Sequence, residues 1–161
     1  MNLSEILKTR YENEQKIKES LENKAANLIA FIAIIVTIFT GFFSGILIMK
    51  INFWAHFFFW LGTIFYLTSG VFSLFTLRVR WGNAPLRITH EFIEEWRKSS
   101  ITEKQLEEIL QTDYLNAIED LSQSNNSKAF FLHFGFLFAF LGVLFTVFLM
   151  AKITLLGQLS A

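Results

Sequence analysis

Cysteine is absent from the 161 residues, which excludes disulfides, thiolate catalysis and cysteine-ligated metals and leaves the redox compartment open. Proline occurs once, at Pro85. Net charge is zero, with 14 basic and 14 acidic residues, so overall charge points to neither a nucleic-acid polymer nor an acidic substrate. No phosphate-cradling glycine loop, nucleophile elbow or metal motif is present. His90-Glu91-Phe92-Ile93-Glu94 lacks the second histidine of a zinc-protease motif, and His56, His90 and His133 fall in different parts of the topology. An enzyme is not expected, nor a metal or cofactor.

Charge is also missing from three long stretches. Ala25 to Met49 (25 residues), Ile51 to Leu77 (27) and Ala129 to Ala151 (23) contain no Asp, Glu, Lys or Arg, and they are fenced by Lys24, Lys50, Arg78, Lys128 and Lys152. At about 1.5 Å per residue, even the shortest covers roughly 34 Å as a helix, enough for a hydrocarbon core of about 30 Å. With 53% hydrophobic residues and 20 phenylalanines, little is left for a soluble core. The first run follows 24 mixed-charge residues and is too long for a signal-peptide core, so cleavage is not expected. The reading is an all-α integral membrane protein with three transmembrane helices.

Lysine and arginine orient it. Five precede the first span and seven lie between the second and third, against only Lys50 and Lys152 on the other side. By the positive-inside rule the N-terminus is cytoplasmic and the C-terminus lies outside an inner (cytoplasmic) membrane, and all 14 acidic residues stay on the cytoplasmic side. Four segments result: a cytoplasmic amphipathic helix (1–24), a transmembrane hairpin (25–77), a cytoplasmic helical insertion (78–128), and the third span with a short outer tail (129–161).

The first segment predicts a helix with Leu3, Leu7, Ile17 and Leu21 on one stripe, Ile6 and Tyr11 beside it, and Glu12–Lys16 and Glu14–Lys18 pairs on the exposed side. It lies on the headgroups, packs on the insertion or joins a second subunit. Nothing breaks it before about Met49. Met49 to Asn52 predicts the outer turn, with Trp54 at the interface. Gly82 to Pro85 separates the hairpin from a short helix of about Thr89 to Lys98 carrying Phe92 and Trp96. Thr102 with Gln105 forms a capping box, stapled by Ile101 and Leu106. The helix that follows carries the stripe Leu106, Ile109, Leu110, Tyr114, Ala117, Ile118 and Leu121, and is expected to end or loosen at Ser122 to Ser127. Two such helices bury no self-sufficient core and need the N-terminal helix, a second subunit or a partner.

Within the spans, Ala26, Ala30, Ala33, Thr37, Gly41 and Gly45 form a seam of small residues, and Gly135, Ala139, Gly142 and Thr146 form another. Gly62, with Ser69, Ser73 and Thr76, lies near one face of the second span. In lipid there is little hydrophobic drive between helices, and small residues let backbones approach. Whether the seams pack within one chain or between chains is not encoded. His56 reads as an interface residue, whereas His133, an ionisable ring one turn inside the third span, is expected to bond, neutral, to a neighbouring helix. The cytoplasmic set Arg78, Arg80, Arg87, Arg97 and Lys98 suits an anionic ligand, because guanidinium groups grip phosphate bidentately; ordinary attraction to anionic lipid headgroups together with the positive-inside rule also explains it.

The whole pattern resembles a known family. A charged helix leads through Lys24-Ala25 into a membrane hairpin, a helical insertion carries Phe92, Trp96, Asp113, Tyr114, Ala117 and Ile118, and Asn126-Ser127-Lys128-Ala129 opens a last span. This is similar to the small transmembrane effectors of prokaryotic anti-phage signalling, notably those of the Pycsar cyclic-nucleotide systems. The resemblance implies a homo-oligomer in the inner membrane that disrupts the bilayer, as a pore or otherwise, when a cyclic nucleotide or an activated upstream protein appears. No ligand-binding residue carries over from it. The alternative is an accessory or scaffold subunit of a larger membrane complex.

Overall fold

The computed structural model describes residues 3–46, 53–78 and 102–159. They form three α-helices: α1 (Leu3–Ile46), α2 (Phe53–Arg78) and α3 (Glu103–Leu159). All three are long and apolar enough to cross a membrane, and only 22% of the most apolar window of each is buried within the chain. So small a buried share suits a hydrocarbon solvent. Phe140, Val147, Leu67, Trp60 and Ile34 are each at least 60% exposed, which in water would forfeit the main folding force and in lipid costs nothing.

α1 runs unbroken from the charged segment into the apolar one, as the lack of Gly and Pro predicts. α3 differs from expectation, for it passes through Ser122 to Ser127 without ending. Ser124 and Asn125 of that run are buried, while Gln123, Asn126 and Ser127 are exposed on the other side of the helix. Ser127 Oγ donates to the Gln123 carbonyl at 3.1 Å, Asn125 bonds α1, and no Gly or Pro offers an exit. The N-terminus of α3 is the capping box: Thr102 N–H donates to Gln105 Oε1 at 3.0 Å and Gln105 N–H to Thr102 Oγ1 at 3.4 Å. Its expected staple partner Ile101 lies outside the described residues, as do the outer turn, the Gly82 to Pro85 break and the Thr89 to Lys98 helix.

Burial follows a 3.5-residue repeat. On α3, positions 114, 118, 121, 125, 128, 132, 135, 139, 142, 146 and 149 are buried or half-buried at alternating spacings of four and three; α2 repeats this through 62, 66, 69, 73 and 76. That period keeps one seam on its neighbour and is the geometry of left-handed helix packing. On α1 the repeat runs through Leu7, Tyr11, Glu14, Lys18, Leu21, Ala25, Leu28 and Ile32, so Leu3, Ile6 and Ile17 stay exposed and Glu14 and Lys18 turn inward. The expected Glu14–Lys18 and Glu12–Lys16 pairs are not formed. The four-and-three repeat places Glu14 against Asn125, and that contact takes its carboxylate.

The chain divides into two compact units, one of residues 1–20 and 79–127, the other of residues 21–78 and 128–161. In the first, Leu7, Ala117, Ile118 and Leu121 are buried, Tyr11 meets Tyr114 edge-on with ring centroids 6.1 Å apart, and Asn125 Nδ2 donates to the Glu14 carboxylate at 2.8 Å and to its backbone carbonyl at 2.9 Å. Asn125→Ala deletes both bonds and is expected to lower stability by about 1–2 kcal/mol. Asn125→Asp sets a carboxylate against the Glu14 carboxylate and should cost more than Asn125→Ala; a smaller loss than that of the alanine variant in a denaturant melt would contradict the contact.

In the second unit α1 and α3 run parallel, matching Glu22 with Lys128, Leu28 with Gly135 and Phe39 with Leu149, while α2 runs antiparallel to both. The core is Ala25, Leu28, Ile32, Tyr66, Leu132 and Ala139.

Candidate functional site

The α2–α3 contact of the second unit joins its helices through hydroxyl groups. One edge of this contact is built from small and hydroxylic residues. Ser69 Oγ donates to the Gly135 carbonyl at 2.5 Å, and Ser73 Oγ donates back to the Ser69 carbonyl at 2.9 Å. Tyr66, 1% exposed, lies against Gly142, where a built Cβ would stand 2.7 Å from the ring. Thr146 Oγ1 donates its single proton to the Gly142 carbonyl at 2.9 Å, so the Tyr66 hydroxyl, 3.1 Å away, is the donor to Thr146. The seam predicted on α3 is thus an intrachain packing surface, and Gly62 joins it with Phe145 Cβ 3.7 Å from its own built Cβ.

The other edge is a ladder of phenylalanines at seven-residue spacing, Phe58, Phe65 and Phe72 on α2 and Phe145, Phe138 and Phe131 on α3. Phe65 stacks on Phe145 at 5.3 Å and Phe72 on Phe138 at 5.5 Å, with planes 11° and 9° apart. Phe58 stacks on Phe145 at 6.1 Å, which closes the series at one end. Such pairs contribute about 0.5–1.5 kcal/mol each beyond the area they bury. The sequence reading assigned phenylalanine only bulk; the seven-residue recurrence was the available signal.

α1 behaves differently. Ala26, Ala30, Ala33, Thr37 and Gly41 lie on its exposed side, and its packing face is instead Ala25, Leu28, Ile32 and Phe39. Gly45 lies beyond the residues whose surroundings are described. Among the described residues of the two small-residue seams, those of α3 meet helices of their own chain and those of α1 do not.

At the head of this unit, Lys128 is fully buried and its ammonium is paired with the Glu22 carboxylate, itself 35% exposed. In the sequence Lys128 marks only a span boundary and Glu22 carries no assignment; Glu22 precedes its apolar run by three residues and Lys128 by one, and that parallel placement was the clue. Of the basic set, Arg78 is exposed at the end of α2, while Arg80, Arg87, Arg97 and Lys98 lie outside the described residues. His56 is half-buried and His133 exposed, its ring edge-on to Phe134 at 6.1 Å. The expected bond from His133 to a neighbouring helix is not made within the described chain.

The first unit holds an open groove of about 560 Å³ lined by Arg10, Leu115, Ile118, Glu119, Ser122, Gln123 and Asn126. Arg10 came to it unannounced, as one charge among many in the first segment. Buried beside the α3 stripe, Ser124 Oγ and Asn125 Oδ1 have no hydrogen-bond partner among the described residues. No group of His, Asp or Glu among those residues is placed to hold a metal.

Three apolar helices joined by hydroxyl bonds and ring stacks, with a buried ion pair at one end, define a small multi-pass membrane protein built on helix association. The model of PycTM, the Pycsar effector protein domain, matches residues 5–155. The chain belongs to that family, and at this level it is a membrane effector of anti-phage signalling. No curated protein and no solved structure matches it.

Proposed function

We propose that the chain is a signal-dependent membrane-disrupting effector: a three-span homo-oligomer of the inner membrane, N-terminus inside and C-terminus outside, that opens or disorders the bilayer when an infection signal arrives. The observation that carries the reading is the family match across nearly the whole length, on helices of which about a fifth is buried within the chain. A monomer with so much uncovered helix surface has ample area for self-association. The signal is a cyclic nucleotide or an activated upstream protein. It acts on the cytoplasmic segments, where Arg78, Arg80, Arg87, Arg97 and Lys98 offer anion-binding groups for a ligand or lipid headgroups. No chemical step, metal or cofactor belongs to this role. The protein acts by rearranging helices.

Expression together with a cyclase supplying candidate cyclic nucleotides should depolarise cells within minutes, read with a potential-sensitive dye. A membrane potential that stays intact across the candidate nucleotides would reject the effector mechanism. The orientation is tested separately. In this cysteine-free chain, Glu103→Cys should react with an impermeant maleimide only after the inner face is opened, and Lys50→Cys in intact spheroplasts. Labelling of both from the same side would overturn the topology.

A further inference from the structure

Among the described residues, the hydroxyls of the spans are satisfied within the chain. Thr37, Thr40, Thr63 and Thr68 each donate to a carbonyl four residues back, and Ser69, Ser73, Thr76 and Thr146 are bonded too. Asn27 and His133 are the exception. No hydrogen bond among the described residues reaches the amide of Asn27 or the ring nitrogens of His133, and both side chains are exposed. In hydrocarbon an amide and an imidazole without partners are costly, so both need an acceptor or donor from elsewhere.

Their positions match. Asn27 follows Glu22 by five residues and His133 follows Lys128 by five, and Glu22 and Lys128 are paired across the parallel helices α1 and α3. Both therefore lie about 7.5 Å further along their helices, at one depth. Leu28 packed on Gly135, one and two residues further on, fixes the same register independently. The two side chains point away from the core on different helices, Asn27 one residue before buried Leu28 and His133 one after buried Leu132, so they cannot reach each other within a chain. In a symmetric ring whose axis is normal to the bilayer, a residue of one copy meets only residues of equal depth in the next. Amide and imidazole are complementary as donor and acceptor.

We propose that Asn27 of one copy hydrogen-bonds His133 of the next, so that the outer face of α1 meets the outer face of α3. The proposal rests on the reading that copies of the chain associate in the membrane, and it names how. Exposed Ala26, Ala30 and Ala33 beside Asn27 let the neighbouring α3 come close enough for the bond. Because each copy carries both partners, the pairing forms at every contact of a symmetric ring about that axis, a two-fold dimer being the smallest.

The test uses the full chain in native membranes and its lack of cysteine. Two differently tagged copies, one with Asn27→Cys and one with His133→Cys, are co-expressed and oxidised with copper phenanthroline. A doubly tagged cross-linked species is expected at least tenfold above that from Asn27→Cys with Phe140→Cys, since Phe140 is exposed on the same helix but seven residues deeper. The variant Asn27→Leu/His133→Leu, if its helix content by circular dichroism is unchanged, should shift light-scattering mass towards the monomer. If the wild-type chain is oligomeric but the Asn27/His133 pair cross-links no better than the deeper control, the pairing is wrong and the two groups are served by lipid headgroups. If the wild-type chain is itself a monomer in membranes, association fails along with the pairing, and light scattering separates that result from the first.

Discussion

Gly142→Ala is expected to lower the stability of the membrane bundle by about 1–2 kcal/mol, although alanine is the better helix former by about 1 kcal/mol. The added methyl would stand 2.7 and 2.8 Å from two ring carbons of Tyr66. That ring has nowhere to go, being 1% exposed and tied through its hydroxyl to Thr146. The helices must separate instead, and the stacked phenylalanines on the far edge separate with them. Gly142→Leu should abolish the α2–α3 contact altogether. Gly62→Ala supplies the control, because its nearest neighbours stand at 3.7 and 3.8 Å, ordinary contact, and it should be neutral or slightly stabilising. Unfolding in mixed micelles, followed by tryptophan fluorescence, measures all three. In a Tyr66→Leu background Gly142→Ala should lose most of its cost, and strict additivity would refute the steric cause.

The second large effect belongs to the ion pair, and its signature is asymmetry. Glu22→Ala leaves the Lys128 ammonium buried without a counter-charge, at a cost of about 2–3 kcal/mol; the low end of the usual range applies because Glu22 is 35% exposed and water reaches that side. Lys128→Met keeps the volume, removes the charge and leaves a carboxylate that can face water, so it should cost under about 1 kcal/mol. Glu22→Gln with Lys128→Met should come close to the wild type. Equal losses from the two single variants would mean that Lys128 is not buried as described.

The fold was legible to an unusual extent, because three uncharged runs of 23 to 27 residues admit few alternatives to spanning helices. The capping box at Thr102 and Gln105 was readable for a related reason, since a cap is settled by four consecutive residues. The polar run at Ser122 to Ser127 was misread because local propensity there opposes the helix, while the bond from Asn125 to Glu14, 111 residues earlier, supports it. Among the groups that do the holding, Tyr66, Glu22 and Asn125 were invisible singly. Each matters only through a partner far away in the chain.

Composition and the distribution of charge, on their own, determined the helical class and the number of apolar spans, since those depend on runs and order. Only the tertiary structure decided which small-residue seam is spent inside the chain. Gly135, Ala139, Gly142 and Thr146 are covered by the chain's own helices, while Ala26, Ala30, Ala33 and Thr37 face outward. The physical reason is that every helix presents several faces of similar composition. Which of them is covered depends on the 3.5-residue register at which three helices meet, a quantity no single stretch of sequence contains.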